Sequence, residues 1–417
     1  MKILLLGSGA REHALARALV NAPETTELVV APGNPGTAMI ATNFAIDPTS
    51  PVEAVELATQ MGADLVVVGP EAPLVAGVAD AVRQAGVPVF GPGAAAARLE
   101  GSKAFAKEVM AAAGVPTATA VVCATPEELS AALDRFGAPY VVKDDGLAAG
   151  KGVVVTSERD AALAHGRSCL ARQGGRVLVE EYLDGPEVSL FCVCDSATVR
   201  PLAPAQDYKR VGDGDVGPNT GGMGSYSPLT WAPADLTEQV VREVAQPVVD
   251  EMARRGTSFT GLLYCGLALT GKGLRVVEFN VRFGDPETQV VLARLTSSLA
   301  QLLHAAATGR LAEVPAPTWR PEAAVDVVLA APGYPGAVTT GGLLTGLDAA
   351  EEVEGVHVLH AGTGFSDDGE LVATGGRVLS VVALGDDVQA ARERAYQAVG
   401  RLGLPGSHYR TDIAAGR

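Results

Sequence analysis

The first hundred residues alternate short apolar runs with helical stretches, and this alternation constrains the fold more than any other feature. Residues 2–6, 28–31, 63–68 and 87–90 read as strands, and residues 14–20, 51–61 and 75–85 read as helices. Strand–helix order of this kind predicts a parallel sheet with right-handed crossovers. Gly and Pro gather after each apolar run: Gly7-Ser8-Gly9, Pro32-Gly33-Asn34-Pro35-Gly36-Thr37, Gly69-Pro70-Glu71-Ala72-Pro73 and Gly91-Pro92. In such a sheet these turns fall at the carboxyl edge, where ligands bind. Strand, Gly-x-Gly, helix also suits a phosphate at a helix N-terminus. Glu12 stands where the dinucleotide fingerprint would carry its third glycine, which counts against NAD. The bland alternative is a tight turn with no ligand.

A second feature carries more chemistry. Residues 274–279 read as a strand that turns polar: Glu278 and Asn280 are two apart, so both point to one face. A carboxylate and an amide oxygen form a hard-oxygen pair, suited to Mg2+ that keeps waters and phosphates as its other ligands. Arg282 continues the row in this reading, and Gly284-Asp285-Pro286 makes a turn. A strand ending in a solvated acidic loop is the competing reading, and the packing of Arg282, Asp285 and Glu287 into the same ten residues weighs against it.

Between these regions, residues 102–113 form a helix opening at Lys103 and Lys107. A hairpin over residues 140–155 delivers Lys143, then Gly146, Gly150, Lys151 and Gly152. Its glycines and lysines can fold over polyphosphate, yet it is no P-loop, because Gly152 follows Lys151. Residues 177–183 make a strand whose edge, Glu180 to Leu183, can hold adenine. Residues 205–228 hold too many glycines for regular structure and read as a functional loop. A Pro-rich linker at 315–320 precedes a last module with few clustered polar residues, read as mainly structural and closing over the site.

Composition sets bounds. The 417 residues suggest about three domains. Net charge is −16 with no basic block, so neither nucleic acid nor anionic membrane is an expected partner. No apolar run approaches the roughly 18 residues of a membrane span, and no cleavable leader is visible. The expected location is the cytoplasm. Five scattered cysteines fit reduced, buried thiols. His357 and His360 fall on opposite faces of a strand and make a poor metal pair.

Taken together, Leu-Leu-Gly-Ser-Gly-Ala-Arg-Glu-His at the start, Gly-Asn-Pro-Gly-Thr, Gly-Pro-Glu-Ala-Pro-Leu, residues 143–152, residues 219–228, residues 282–289 and Gly375-Gly-Arg377-Val are similar to one family. The chain resembles the glycinamide ribonucleotide synthetase (phosphoribosylamine–glycine ligase) family of the ATP-grasp superfamily over nearly its whole length. The resemblance implies an α/β and α+β multidomain fold: a Rossmann-like substrate domain at 1–101, an ATP-grasp domain at 102–314 with a mobile lid near 117–190, and a small α/β domain at 320–417. It implies ATP, glycine and 5-phosphoribosylamine as substrates and Mg2+ or Mn2+ as metal; a monomer is the expected state, although the sequence does not give it. By residue, it implies Glu278 and Asn280 on the metal; Lys103, Lys143, Gly150, Lys151, Gly152, Glu180, Glu181, Leu183 and Glu187 on ATP; Gly9, Arg11, Glu12, Asn34, Gly36, Thr37, Asn219 and Asp285 on substrate; and Arg282, Asp207 and Lys143 in catalysis. Two positions depart from the family's usual residues: Asp144, usually Ala, and Tyr208, usually His. A different ATP-grasp ligase would share the nucleotide residues and differ in substrate.

Overall fold

The computed structural model describes residues 1–146 and 152–417. The expected ATP contacts Gly150 and Lys151 lie outside the described residues.

Strands β1 (Lys2–Gly7), β2 (Glu27–Pro32), β3 (Thr42–Asn43), β4 (Leu65–Val68) and β5 (Val89–Phe90) form one parallel sheet, ordered β3-β2-β1-β4-β5. Both faces of β1 and β4 are buried, which is why they read as unbroken apolar runs. Helices α1 (Ala10–Val20), α2 (Pro51–Met61), α3 (Glu71–Val75), α4 (Val78–Gln84) and α5 (Ala94–Gly101) complete this part. Strand order reverses between β1 and β4, so the loops after them border one crevice. Two details differ from the sequence reading. Helix α1 begins at Ala10, which puts Arg11, Glu12 and His13 on its first turn. Glu71-Ala72-Pro73 opens a helix rather than a turn; Pro73 falls in the first turn, where its missing N–H costs nothing.

Helix α6 (Lys103–Ala113) is capped by the Ser102 hydroxyl, which accepts from the Phe105 N–H, and it stops at Gly114. Next comes an antiparallel sheet ordered β6-β9-β7-β8, made of β6 (Ala120–Cys123), β7 (Tyr140–Asp144), β8 (Val153–Thr156) and β9 (Val177–Glu180). Helices α7 (Pro126–Phe136) and α8 (Arg159–Leu170) pack on it through Leu129, Leu133, Ala162 and Leu163.

Strands β10 (Glu187–Asp195) and β11 (Val199–Pro201) follow. The glycine-rich stretch is more regular than its composition suggests. It forms β12 (Gln206–Asp207), a hairpin of β13 (Arg210–Gly212) and β14 (Val216–Asn219), and β15 (Gly224–Ser227). Helices α9 (Leu236–Val240) and α10 (Gln246–Arg254) join through a π-helical turn at Val241–Ala245. Strands β16 (Thr260–Thr270) and β17 (Gly273–Asn280) then complete a second antiparallel sheet, β11-β10-β16-β17.

The last third holds α11 (Glu287–Arg294), α12 (Leu299–Ala307), β18 (Ala323–Ala330), α13 (Leu347–Glu351), β19 (Val356–His360), a hairpin of β20 (Thr363–Phe365) and β21 (Leu371–Ala373), β22 (Arg377–Gly385) and α14 (Val388–Val399). Its sheet runs β12-β15-β18-β22-β19, so two strands of the glycine-rich stretch belong to it. All five cysteines are free and buried. Among the described residues, no helix is long and apolar enough to cross a membrane.

Candidate active site

Strand β17 carries the metal-type pair, by a route the spacing alone did not reveal. Leu274 and Val276 face the core, and strict alternation would turn Glu278 and Asn280 to the same side. The ladder to β16 is interrupted: Gly266 pairs with Glu278, and Leu267 pairs with Val276. Val277 is therefore an extra, bulged residue, and it reverses the phase. Phe279 goes to the core, while Glu278 and Asn280 stay half-buried on the open face. Neither side chain hydrogen-bonds another described residue, and no cluster of three or more His, Cys, Asp or Glu with metal-binding geometry is found among those residues. Two protein oxygens fit a hard divalent cation that takes its remaining ligands from water and phosphate.

Lys143 stands beside this pair. Its ammonium donates to the carbonyl of the bulged Val277 at 3.0 Å and sits 2.8 Å from Glu180 Oε2. Lys107 holds the other Glu180 oxygen at 3.2 Å. Burial would lower the Lys143 pKa, but Glu180 and Glu278 outweigh it, so the group stays charged. Burial would likewise raise Glu180, and Lys143 and Lys107 pull it below the usual carboxylate range. Glu180 thus anchors two lysines with its side chain. Lys103 Nζ donates to Gly146 O at 3.1 Å, and the backbone of Gly152 accepts from Asp144 N–H at 2.7 Å. Glu181 accepts from the Thr119 N–H at 2.9 Å, and Glu181 and Leu183 line an open cavity of about 300 Å³ with Thr119 and Arg275. Glu187 is ion-paired to Lys209, which pulls its pKa down.

Beyond Asn280 the chain leaves the strand, so Arg282 does not continue the row. It turns toward the first domain, where Nε lies 3.1 Å from Glu71 and Nη2 lies 3.2 Å from Glu100. Burial would raise Glu71, but Arg282 and Arg11 hold it below its ordinary value; Glu100 is raised by burial despite Arg282. The Gly-x-Gly crevice is filled as well. Glu12 folds back, its Oε2 accepting from the Gly9 N–H at 2.6 Å and its Oε1 from Arg11 Nε at 2.6 Å. A carboxylate already occupies the helix end that the sequence offered to a phosphate, so the crevice is better suited to an amine or hydroxyl. In the next turn, Asn34 and Thr37 hydrogen-bond each other, and Asn34 Nδ2 reaches Ser8 O and His360 O, both at 2.8 Å. Gly36 is required there: a Cβ would lie 2.4 Å from the His13 ring. His13 and His360 are neutral, lowered by burial to about 3 and about 4.

Asp207 lies between these halves, 3.8 Å from Lys209. Burial pushes its carboxyl up to about 7 against the pull of Lys209. Behind it, Tyr264 and Ser189 both donate to Glu287, at 2.8 and 3.1 Å. Asn219 reaches across to Val153 O of β8 at 3.5 Å.

With this geometry in view, the likeness to known proteins is decisive. Phosphoribosylglycinamide synthetase profiles match residues 1–100 (N domain), 101–288 (ATP-grasp A domain) and 324–416 (C domain). Phosphoribosylamine–glycine ligase of Streptomyces coelicolor is 62% identical over 417 residues, covering 100% of this chain and 99% of that one. The chain belongs to the phosphoribosylamine–glycine ligase family. The Mycobacterium tuberculosis member is 59% identical, covering 99% and 97%. The crystal structure of the Thermotoga maritima ligase is 34% identical with a TM-score of 0.86, covering 99% of this chain and 100% of that one. Biotin carboxylase of Campylobacter jejuni, at 13% identity and a TM-score of 0.72 over 99% and 94%, shares the fold alone. Family membership makes this an ATP-dependent ligase with ATP-grasp architecture.

Both departures from the family's usual residues now have a structural setting. Asp144 pairs with Arg172 at 2.9 Å, which balances its charge. The Tyr208 hydroxyl accepts from the Ala414 N–H at 2.9 Å, so it serves the C-terminal tail. The last module touches the residues gathered above: Arg377 pairs with Asp285, the Tyr334 hydroxyl accepts from the Gly221 N–H, and the His360 carbonyl accepts from Asn34 Nδ2.

Proposed function

We propose that the chain joins glycine to 5-phosphoribosylamine through glycyl phosphate, giving glycinamide ribonucleotide, ADP and phosphate in purine biosynthesis. A carboxylate is a poor electrophile until phosphorylated. Glycine's carboxylate oxygen bonds to the γ-phosphorus as the bond to ADP breaks. The ribosylamine nitrogen then attacks the acyl carbon, loses a proton, and phosphate leaves. Such transfers depend mainly on positioning and charge neutralisation.

The observation that carries this reading is the Glu278–Asn280 pair, which no described residue binds, beside the buried ammonium of Lys143. Glu278 and Asn280 would hold Mg2+ or Mn2+, which when bound neutralises charge on the transferring phosphate. Lys103 and Lys143 contact ATP phosphates, the edge from Glu180 to Leu183 takes adenine, and Glu187 faces ribose. Arg282 and Asp207 stand near glycine and the acyl phosphate. Gly9, Arg11, Glu12, Asn34, Gly36, Thr37, Asn219 and Asp285 surround the ribosylamine. The reading divides the chain at 1–101, 102–314 and 320–417, with a cytoplasmic monomer as the working unit.

ADP release is the test, with Mg-ATP, glycine, and phosphoribosylamine generated in place from ribose 5-phosphate and ammonia. Turnover that requires both substrates and yields the product mass is expected. Turnover with another carboxylate or amine, but not with this pair, would discard the substrate assignment.

A further inference from the structure

Asp285 is held from across the chain. Arg377 opens β22, and its Nη2 lies 2.9 Å from Asp285 Oδ2. Nη1 of the same side chain donates to Asp285 O at 3.0 Å and to Gly221 O at 2.7 Å. The Gly221 N–H in turn donates to the Tyr334 hydroxyl at 2.9 Å. One residue of the glycine-rich stretch is thus held at both backbone groups by side chains of the C-terminal module.

The packing around this junction leaves little slack. A Cβ on Gly221 would lie 3.0 Å from Arg377 Cζ. On Gly222, whose φ is +110°, it would lie 2.3 Å from Pro286 Cδ, so residues 221–222 rest directly on the Asp285–Pro286 turn. On Gly376 it would lie 2.3 Å from the Tyr334 ring, which fixes that ring against the Arg377 backbone. A planar guanidinium can serve a carboxylate and two carbonyls at once; an ammonium on a flexible stem cannot hold all three. None of these groups approaches Glu278, Asn280 or Lys143 by hydrogen bond or ion pair among the described residues.

We propose that Arg377, supported by Tyr334, is a positioning residue for the amine substrate. It aims the Asp285 carboxylate and sets residues 221–222 against the 285–286 turn, so the C-terminal module shapes the amine half of the site and leaves the nucleotide half alone. This rests on Asp285 belonging to the amine half, as read above.

The experiment measures KM and kcat separately for ATP, glycine and phosphoribosylamine in Arg377→Gln, Arg377→Lys and Tyr334→Phe, with Asp285→Asn as reference. Arg377→Gln raises KM for the ribosylamine about tenfold or more, as loss of a charge-assisted contact predicts, with KM for ATP unchanged. Arg377→Lys recovers part of that loss. Tyr334→Phe, which removes one acceptor and keeps the ring, shifts the same KM about fivefold. A structural role alone would lower the active fraction and kcat without separating the substrates. Equal changes in the ribosylamine and ATP values would overturn the proposal. So would an unchanged ribosylamine KM in Arg377→Gln when Asp285→Asn raises it. An unchanged value in Asp285→Asn itself would instead remove the premise that Asp285 faces the amine. If Arg377→Gln fails to fold, Tyr334→Phe decides, and an unmoved ribosylamine KM there counts against the idea.

Discussion

The end of β17 and the turn that follows it are a few residues apart, yet they treat charge in opposite ways. Glu278 and Asn280 present oxygens that no described residue binds. Arg282 and Asp285 are held by the protein itself: all three Arg282 nitrogens find oxygen in Glu71, Glu100 and Phe283, and the Asp285 oxygens take Gln289 and Arg377. The first region leaves its oxygens open for a ligand; the second fixes its side chains in place before any ligand arrives. Substitutions should therefore separate turnover from stability in the first region and combine them in the second.

Glu278→Gln keeps the shape and removes the charge. Turnover should fall by about 10²–10³-fold. The thermal midpoint should move little, because Glu278 makes no hydrogen bond or ion pair with a described residue and Glu180 still holds Lys143; turnover retained at ordinary Mg2+ would erase the contrast. Arg282→Ala leaves the buried Glu100 carboxyl facing Glu71 without its cation. Breaking a buried pair in this way costs about 3–5 kcal/mol. Urea unfolding at neutral pH reads that loss directly, and a cost close to zero would mean the turn is not self-supporting. A subtler test lies beneath the turn at Asp326, pushed up to about 8 by burial while the Ser380 hydroxyl pulls the other way. The folded chain keeps a proton that the unfolded chain releases above its ordinary 3.8, so stability falls as pH rises from about 4 to 8 and levels off beyond. Asp326→Asn should flatten that slope in unfolding curves taken between pH 5 and 8. An unchanged slope would show that Asp326 does not carry it.

How much of this was legible in the sequence follows from the range of the forces involved. The parallel sheet was readable because doubly buried strands are locally apolar and the turns after them are locally marked by Gly and Pro. The spacing of Glu278 and Asn280 puts both on one face, but what turns that face outward is a bulge at Val277 that no period-two pattern announces. Residues 205–228 were read as irregular, since glycine weakens local strand preference; β15 forms because β18 pairs with it. Because the strand ends at Asn280, the i, i+2 pattern does not make legible the direction of Arg282. Its partner Glu71 is 211 residues away, and the Arg377–Gly221 bond spans 156, so neither has a local signature.

Strand β15 also bears on the order in which the molecule is made. Its ladder partner β18 begins at Ala323, almost one hundred residues downstream, and its other neighbour, β12, has only two residues. While the ribosome is between them, β15 has an unpaired edge, and a chain released near residue 314 would keep it. Production of the first two domains alone should therefore give aggregates rather than a smaller, nucleotide-binding enzyme.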